Sequence, residues 1–253
     1  MSIGMWRYLK FGPLVLAAAA AVGGGVPDDC NQLIVGIAPT WESKRGQLQR
    51  FERARGADWT PVAPPVPVLF GKNGVAWGRG IEGQNESGLR KTERDGRAPA
   101  GIFWIGKIYT YDPKLPPGAD FPFHQVTKAD AWIDDVKSPD YNRLVTIPDA
   151  ANPPPWFAKQ KMRHNDFAYR WLIEIRHNTD PPVPAAGSAI FFHIRRGVNR
   201  PSAGCTTMAE SELVKLIGWL RASQHPCYVL LPAPEYRAKW RSWHLPAPSE
   251  NDS

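Results

Sequence analysis

Cysteine is scarce in this chain, with three residues in 253, Cys30, Cys205 and Cys227. None of them form a C-x-x-C pair, and the six histidines contain no H-x-x-x-H pair. The usual zinc-ligand spacings are therefore missing, and neither a metal nor a cofactor is expected. Beyond residue 26 no apolar run approaches the ~20 residues of a membrane-spanning helix. No repeat and no linker divides the sequence. Acidic residues are outnumbered, 24 against 31 Lys and Arg, for a formal net charge of +7. The basic residues are spread along the chain rather than clustered on one predicted element, which argues against nucleic-acid binding.

The sequence is rich in turn formers and large aromatics: 26 prolines, 22 glycines and 11 tryptophans. Scattered Pro and Gly between short apolar runs predict many short strands and few helices, a mainly β, α+β domain. Strands are expected over 32–37, 47–52, 66–70, 74–77, 102–111, 169–177, 188–194 and 228–231, with a short terminal helix over 234–243. Asn73-Gly74 is a hairpin-turn signal, because both residues tolerate positive φ. At the N-terminus Arg7 and Lys10 precede an apolar stretch from Phe11 to Val22 and an alanine run. That pattern predicts a signal peptide over 1–26, a folded domain over 30–246 and a disordered tail over 247–253. Export into an oxidising compartment leaves Cys30 and Cys227 to pair and Cys205 as the odd thiol.

The stretch SAIFFHIRRGVNRPSAGCTTMAESELVKLIGWLR, from Ser188 to Arg221, carries the most chemistry. Its first part is a buried strand ending near His193. An arginine-rich loop broken by Gly197, Pro201 and Gly204 follows. Thr207 and Glu210 have the spacing of a capping box, which predicts a helix from Thr207. Leu213, Leu216, Ile217 and Leu220 then fall on one helical face. This reading sets Cys205 at a helix N-terminus, where a thiolate is favoured, with His193 near enough to take its proton. Gly204 lets the backbone turn its own amide and that of Cys205 toward a developing oxyanion.

HIRRGVNRPSAGCTTM resembles the signature of the L,D-transpeptidase catalytic domain, a histidine, a loop and then [S/T]-x-G-C. PVLFGKNGVAWGRG, RKTERDGRAPAGIFWIG, WIDDVKSPDYNRLV and YRWLIEIRHN are similar to segments of one exported branch of that family. The resemblance implies a β-sandwich with the catalytic strand-loop-helix near its C-terminus, Cys205 as nucleophile, His193 as base, and Gly204 and Cys205 amides as oxyanion donors. It also implies peptidoglycan stem peptides as substrate, joined or trimmed through a thioester in the periplasm or cell wall by a monomer free of the membrane once the signal is removed. The basic balance suits an anionic wall mesh. The sequence departs from the commoner pattern at Ala203, where many members have a second histidine, at Ile194, and at Thr207, where many have arginine. With Ile194 in that place, only its backbone carbonyl is available to orient the imidazole.

Alternatives from other classes are an L,D-carboxypeptidase using water as acceptor and a wall-binding module with weak turnover. A papain-like amidase is disfavoured because its cysteine precedes its histidine in the chain. Arg196 and Arg200 are candidates for holding a substrate carboxylate, and Ser202 and His177 complete the candidate binding residues. Asp134, Asp135, Tyr141 and Asn142 read either as a site segment or as a turn with a solvated acid pair.

Overall fold

The computed structural model describes residues 24–81 and 86–248. Its strands are β1 (Gln32–Ala38), β2 (Arg45–Glu52), β3 (Thr60–Pro61), β4 (Val66–Leu69), β5 (Val75–Trp77), β6 (Ala98–Thr110), β7 (Phe123–Gln125), β8 (Asp130–Trp132), β9 (Leu144–Thr146), β10 (Trp171–Ile175), β11 (Phe191–Ile194), β12 (Thr206–Met208) and β13 (Cys227–Pro232). Among the described residues the helices are α1 (Phe157–Gln160), α2 (Glu210–Trp219) and α3 (Ala233–Lys239). The domain is mainly β with few helices, as the turn-rich sequence predicts.

Hydrogen bonding runs unbroken around eight strands, β1-β13-β6-β10-β11-β12-β4-β2 and back to β1. The ring is a closed barrel, with no break dividing it into two separate sheets. Closure removes the unpaired edges that open β-sheets must protect.

Most ring strands are buried on both faces, and the two-residue period divides their side chains between two clusters. Ile34, Phe103, Ile173, Phe192, Tyr228 and Leu230 pack in one, with Leu213, Leu216 and Ile217 of α2 and its C-cap Leu220 laid into it. The predicted apolar helix face is thus the one that is buried. Leu33, Val35, Val229 and Leu231 face the other cluster, closed by Tyr236 of α3 and by Trp77 and Trp243. Much of the aromatic content is core of this kind, worth about 1.5–3 kcal/mol for each large side chain fully buried.

Several expected boundaries move. The helix expected from Thr207 begins at Glu210 behind Ala209, which makes no side-chain cap. Thr207 is instead buried in β12, with its Oγ1 directed at the Leu69 carbonyl at 3.5 Å. Pairing with β11 and a buried Thr206–Tyr228 hydroxyl contact of 3.0 Å outweigh a cap worth about 1 kcal/mol. The strand expected over 169–177 is Trp171–Ile175, preceded by a 3-10 turn, Phe167–Tyr169. At the Asn73-Gly74 turn only Gly74 takes positive φ, +86°. Most of the expected signal peptide, 1–23, and the tail from 249 lie outside the described residues. Val26 is already packed: its side chain is buried and its N–H donates to the Trp243 carbonyl at 3.0 Å.

Cys30 and Cys227 are both buried in one apolar cluster, and burial foremost, with the neighbouring Cys30 thiol, holds the Cys227 thiol well above its usual pKa. All three cysteines are free thiols here, so the Cys30–Cys227 pairing is a matter of reach rather than of an existing bond. Mild oxidation of the folded protein is expected to join Cys30 to Cys227 and leave Cys205 as a thiol. Non-reducing peptide mapping checks this; a bridge that includes Cys205 would contradict it.

Candidate functional site

Two strands bring the site together. Phe192 and Ile194 of β11 point into the ring cluster, while Phe191 points outward against Tyr109, Trp132, Leu172 and Cys205. His193 alternates with Phe192 and therefore also faces outward. β12 runs parallel to β11 with His193 opposite Thr207, so Cys205, two residues earlier, stands on the same face. A cavity of about 490 Å³ is lined by both His193 and Cys205. A second, of about 160 Å³, reaches Cys205 from the side of Trp132, Met162, Leu172 and Phe191. Asp134, Tyr169, Ala189 and Cys205 border both.

The imidazole is held in one tautomer. His193 Nδ1 lies 2.9 Å from the Ile194 carbonyl oxygen, which can only accept, so Nδ1 carries the proton and Nε2 is the basic nitrogen. This is the carbonyl the sequence left available. Tyr169 meets the ring edge-on at 5.2 Å, and Arg196 lies over the Tyr169 ring at 4.7 Å. Burial foremost lowers the His193 pKa to about 4, with Arg196 adding to the effect and Asp166 opposing it.

Cys205 does not stand at a helix terminus. It leads into β12 and lies five residues before α2, so no helix end is placed to stabilise its thiolate. Burial pushes its thiol up to about 11, partly countered by the Phe191 amide, Lys91 and Arg196. The resting pair is a neutral thiol with a neutral imidazole rather than a preformed ion pair. The thiol points to the Ala189 carbonyl at 3.5 Å.

The loop before Cys205 is organised by Ser202. Its Oγ accepts the Gly204 amide at 3.0 Å and donates to the Cys205 carbonyl. The Gly204 amide, expected as an oxyanion donor, is thereby engaged, and the Cys205 amide remains for that role. Gly204 has φ +155°, and a Cβ there would meet the Arg97 carbonyl oxygen at 3.0 Å. Ser202 lines the cavity but serves mainly to shape this turn.

The other candidates separate. Arg196 is clamped to Asp166 through Nε at 3.1 Å and through Nη2, so its charge is already paired. Arg200 is exposed on the cavity rim. His177 does not line the cavity: it is buried, takes the Arg79 amide on Nδ1 at 3.1 Å, and faces the Ala186 carbonyl with Nε2 at 3.0 Å. Both nitrogens are satisfied, and burial lowers its pKa to about 3, so it is a structural residue rather than a substrate ligand. Asp135 forms a local turn with the Lys137 amide at 3.0 Å.

Asn142 is the support that sequence reasoning left undecided. Its Oδ1 accepts from Trp132 Nε1 and the Ala189 amide, each at 3.0 Å. Its Nδ2 donates to the His177 and Asn178 carbonyls at 2.9 and 2.8 Å. One buried amide thus fixes Ala189, whose carbonyl faces the Cys205 thiol. Glu93 adds a second brace, accepting from Ser188 Oγ at 2.8 Å and from the Tyr141 hydroxyl. Lys91, Glu93, Asp166 and Tyr169 were not singled out beforehand. A clue was the alternating charge of KTERD in a stretch with no helical pattern.

Comparisons with family models, with curated proteins and with solved structures each find no match.

Asn142→Ala strands several buried partners and is expected to lower stability on the order of 3 kcal/mol, measured by urea unfolding. Stability should also depend on the two depressed histidines. Unfolded imidazoles protonate near 6.5, whereas folded His193 and His177 stay neutral to about 4 and about 3. The unfolded chain therefore binds protons first, and stability falls as pH drops from about 7 toward 4. A urea midpoint unchanged between pH 7.5 and 4.5 would contradict this.

Proposed function

We propose that this chain is an exported cysteine acyltransferase of the L,D-transpeptidase kind, acting on peptidoglycan stem peptides in the periplasm or cell wall. The closed β ring with α2 packed into its core is read as the L,D-transpeptidase-like catalytic domain. One observation carries the proposal: His193 and Cys205 share a face and a cavity, with the imidazole oriented so that Nε2 is its base.

In the first half-reaction His193 Nε2 takes the thiol proton as Cys205 Sγ attacks the carbonyl between the third stem residue and the terminal D-alanine. The Cys205 amide steadies the oxyanion. His193 returns the proton to the departing amine, D-alanine leaves, and a thioester remains. In the second, an amine of another stem attacks the thioester carbonyl and loses a proton to His193. The carbon–sulfur bond breaks, the thiolate regains that proton, and a new amide bond is formed. Water in place of the amine gives a carboxylate and restores the thiol. Covalent catalysis of this kind replaces one hard step with two easier ones.

The neutral resting pair suits this route, because deprotonation is coupled to attack instead of preceding it. Two cavities meeting at one sulfur give donor and acceptor separate approaches, which favours transfer over simple hydrolysis. The cavity wall also suits an anionic peptide: Lys72, Lys91, Arg94, Arg196 and Arg200 outnumber Glu93 and Asp134.

Intact-protein mass spectrometry with defined tetrapeptide muropeptides tests the proposal. An acyl adduct with release of D-alanine is expected, absent in Cys205→Ser. His193→Gln should slow acylation on the order of 10²–10⁴-fold with little change in thermal unfolding. Because His193 stays neutral down to about 4, acylation should persist through pH 5 and fall only as pH approaches that value. An acid limb near 6.5, or full-rate acylation of His193→Gln, would remove His193 as base. Cross-linked and hydrolysed products separate transferase from carboxypeptidase, and no adduct from any stem peptide would leave only the binding-module reading.

A further inference from the structure

The cavity beside Cys205 contains one buried cation, Lys91, that takes no part in the bond-making steps above. The Lys91 side chain is 3 % exposed, whereas its neighbours on the wall are paired at the surface or open to solvent. Arg94 lies 3.7 Å from Asp134, with its own side chain 77 % exposed. Arg196 is clamped by Asp166, and Arg200 is exposed on the rim.

Lys91 is incompletely satisfied. An ammonium has three N–H donors. Those of Lys91 meet Asp95 Oδ1 at 2.6 Å and the Thr92 carbonyl at 3.2 Å, leaving one. Asp95 in turn divides its charge: Oδ1 also accepts the Arg97 amide at 2.8 Å, and Oδ2 the Thr92 amide at 2.9 Å. The carboxylate therefore orients the ammonium without fully neutralising it.

The location is specific. A Cβ on Gly204 would lie 3.6 Å from Lys91 Nζ, ordinary contact distance, which sets the ammonium directly beside the residue that precedes Cys205. A Cβ on Gly187 would come within 3.1 Å of the Lys91 stem. Gly187 thus admits one long charged side chain to a low-dielectric wall, where an ion pair is much stronger than in water.

We propose that Lys91 is the carboxylate-recognising residue of this site. Its ammonium, oriented by Asp95, pairs with a free C-terminal carboxylate one residue beyond the carbonyl that Cys205 attacks. The assignment rests on the acyl-transfer reading for its substrate. It makes a free terminal carboxylate, rather than an amide or a longer chain, the requirement for an acyl donor. Among the basic residues of the cavity it moves this role from the loop arginines to a lysine far away in sequence.

The decisive measurement does not need a muropeptide. Cys205 is alkylated with iodoacetate and with its neutral analogue iodoacetamide, the modified peptide is quantified, and the ratio of rates is normalised to free cysteine. The wild-type ratio is expected to favour iodoacetate, and Lys91→Met to lower that ratio about tenfold, the lower end of electrostatic enrichment in a charged cleft. Lys91→Arg should keep most of it. A merely structural lysine would change both rates together and leave the ratio alone. An unchanged ratio in Lys91→Met, or its loss in Arg200→Met instead, overturns the assignment. Should Lys91→Met fail to fold, the wild-type protein decides: D-alanine, not D-alaninamide, should protect Cys205 from iodoacetamide, and equal or absent protection overturns it. Carboxylate selectivity without processing of any stem peptide would refute the acyl-transfer reading while Lys91 stands. Equal acylation by tetrapeptide and its terminal amide would refute the Lys91 role while that reading stands.

Discussion

The parallel pairing of β11 with β12 is the constraint on which the candidate site depends. It sets His193 opposite Thr207 and so brings Cys205 onto the outward face that the histidine occupies. A shift of one residue would turn every side chain of β12 to the other face, sending Cys205 into the apolar ring. The register is held because Phe192, Ile194 and Met208 are committed to that ring. Core packing therefore enforces the geometry of the polar face.

Burial governs the electrostatics. The same removal from water that lowers His193 raises Cys205, so each is neutral at rest and neither carries an uncompensated charge into the protein. Inside the cavity the buried or half-buried cations have a partner fixed beside them, Asp166 for Arg196 and Asp95 for Lys91. Around this lies a polar frame in which Asn142, Glu93 and Ser202 each serve several backbone or hydroxyl partners. Isolated buried polar groups would be costly, whereas satisfied ones rigidify the loops that present Cys205.

What was legible in the sequence was local. The apolar face of α2, the Gly74 turn, the mainly β class and the likeness of the His193–Cys205 stretch to one signature all come from residues close together in the chain. The carbonyl that orients His193 was inferable for the same reason, since it belongs to the next residue. Local signals failed where a distant strand competed for the same residues. Thr207 and Glu210 satisfy the spacing of a capping box, but Thr207 enters β12 because burial and pairing with β11 are worth more than one cap. His177 was placed near the site from its position at a strand end, yet contacts with Arg79 and Ala186 turn it into the core.

The sequence by itself determined the mainly β class and roughly which segments form strands, because hydrophobic period and turn residues act over a few positions. Only the tertiary structure decided closure of the sheet, the neutral state of the His193 and Cys205 pair, and the company that Lys91 keeps. Ring closure joins β1 to β2 on one side and to β13 on the other, a pairing across most of the chain. Protonation depends on how much water the fold excludes. A lysine in a charged stretch reads as surface until Gly187, about a hundred residues away, proves to leave room for it.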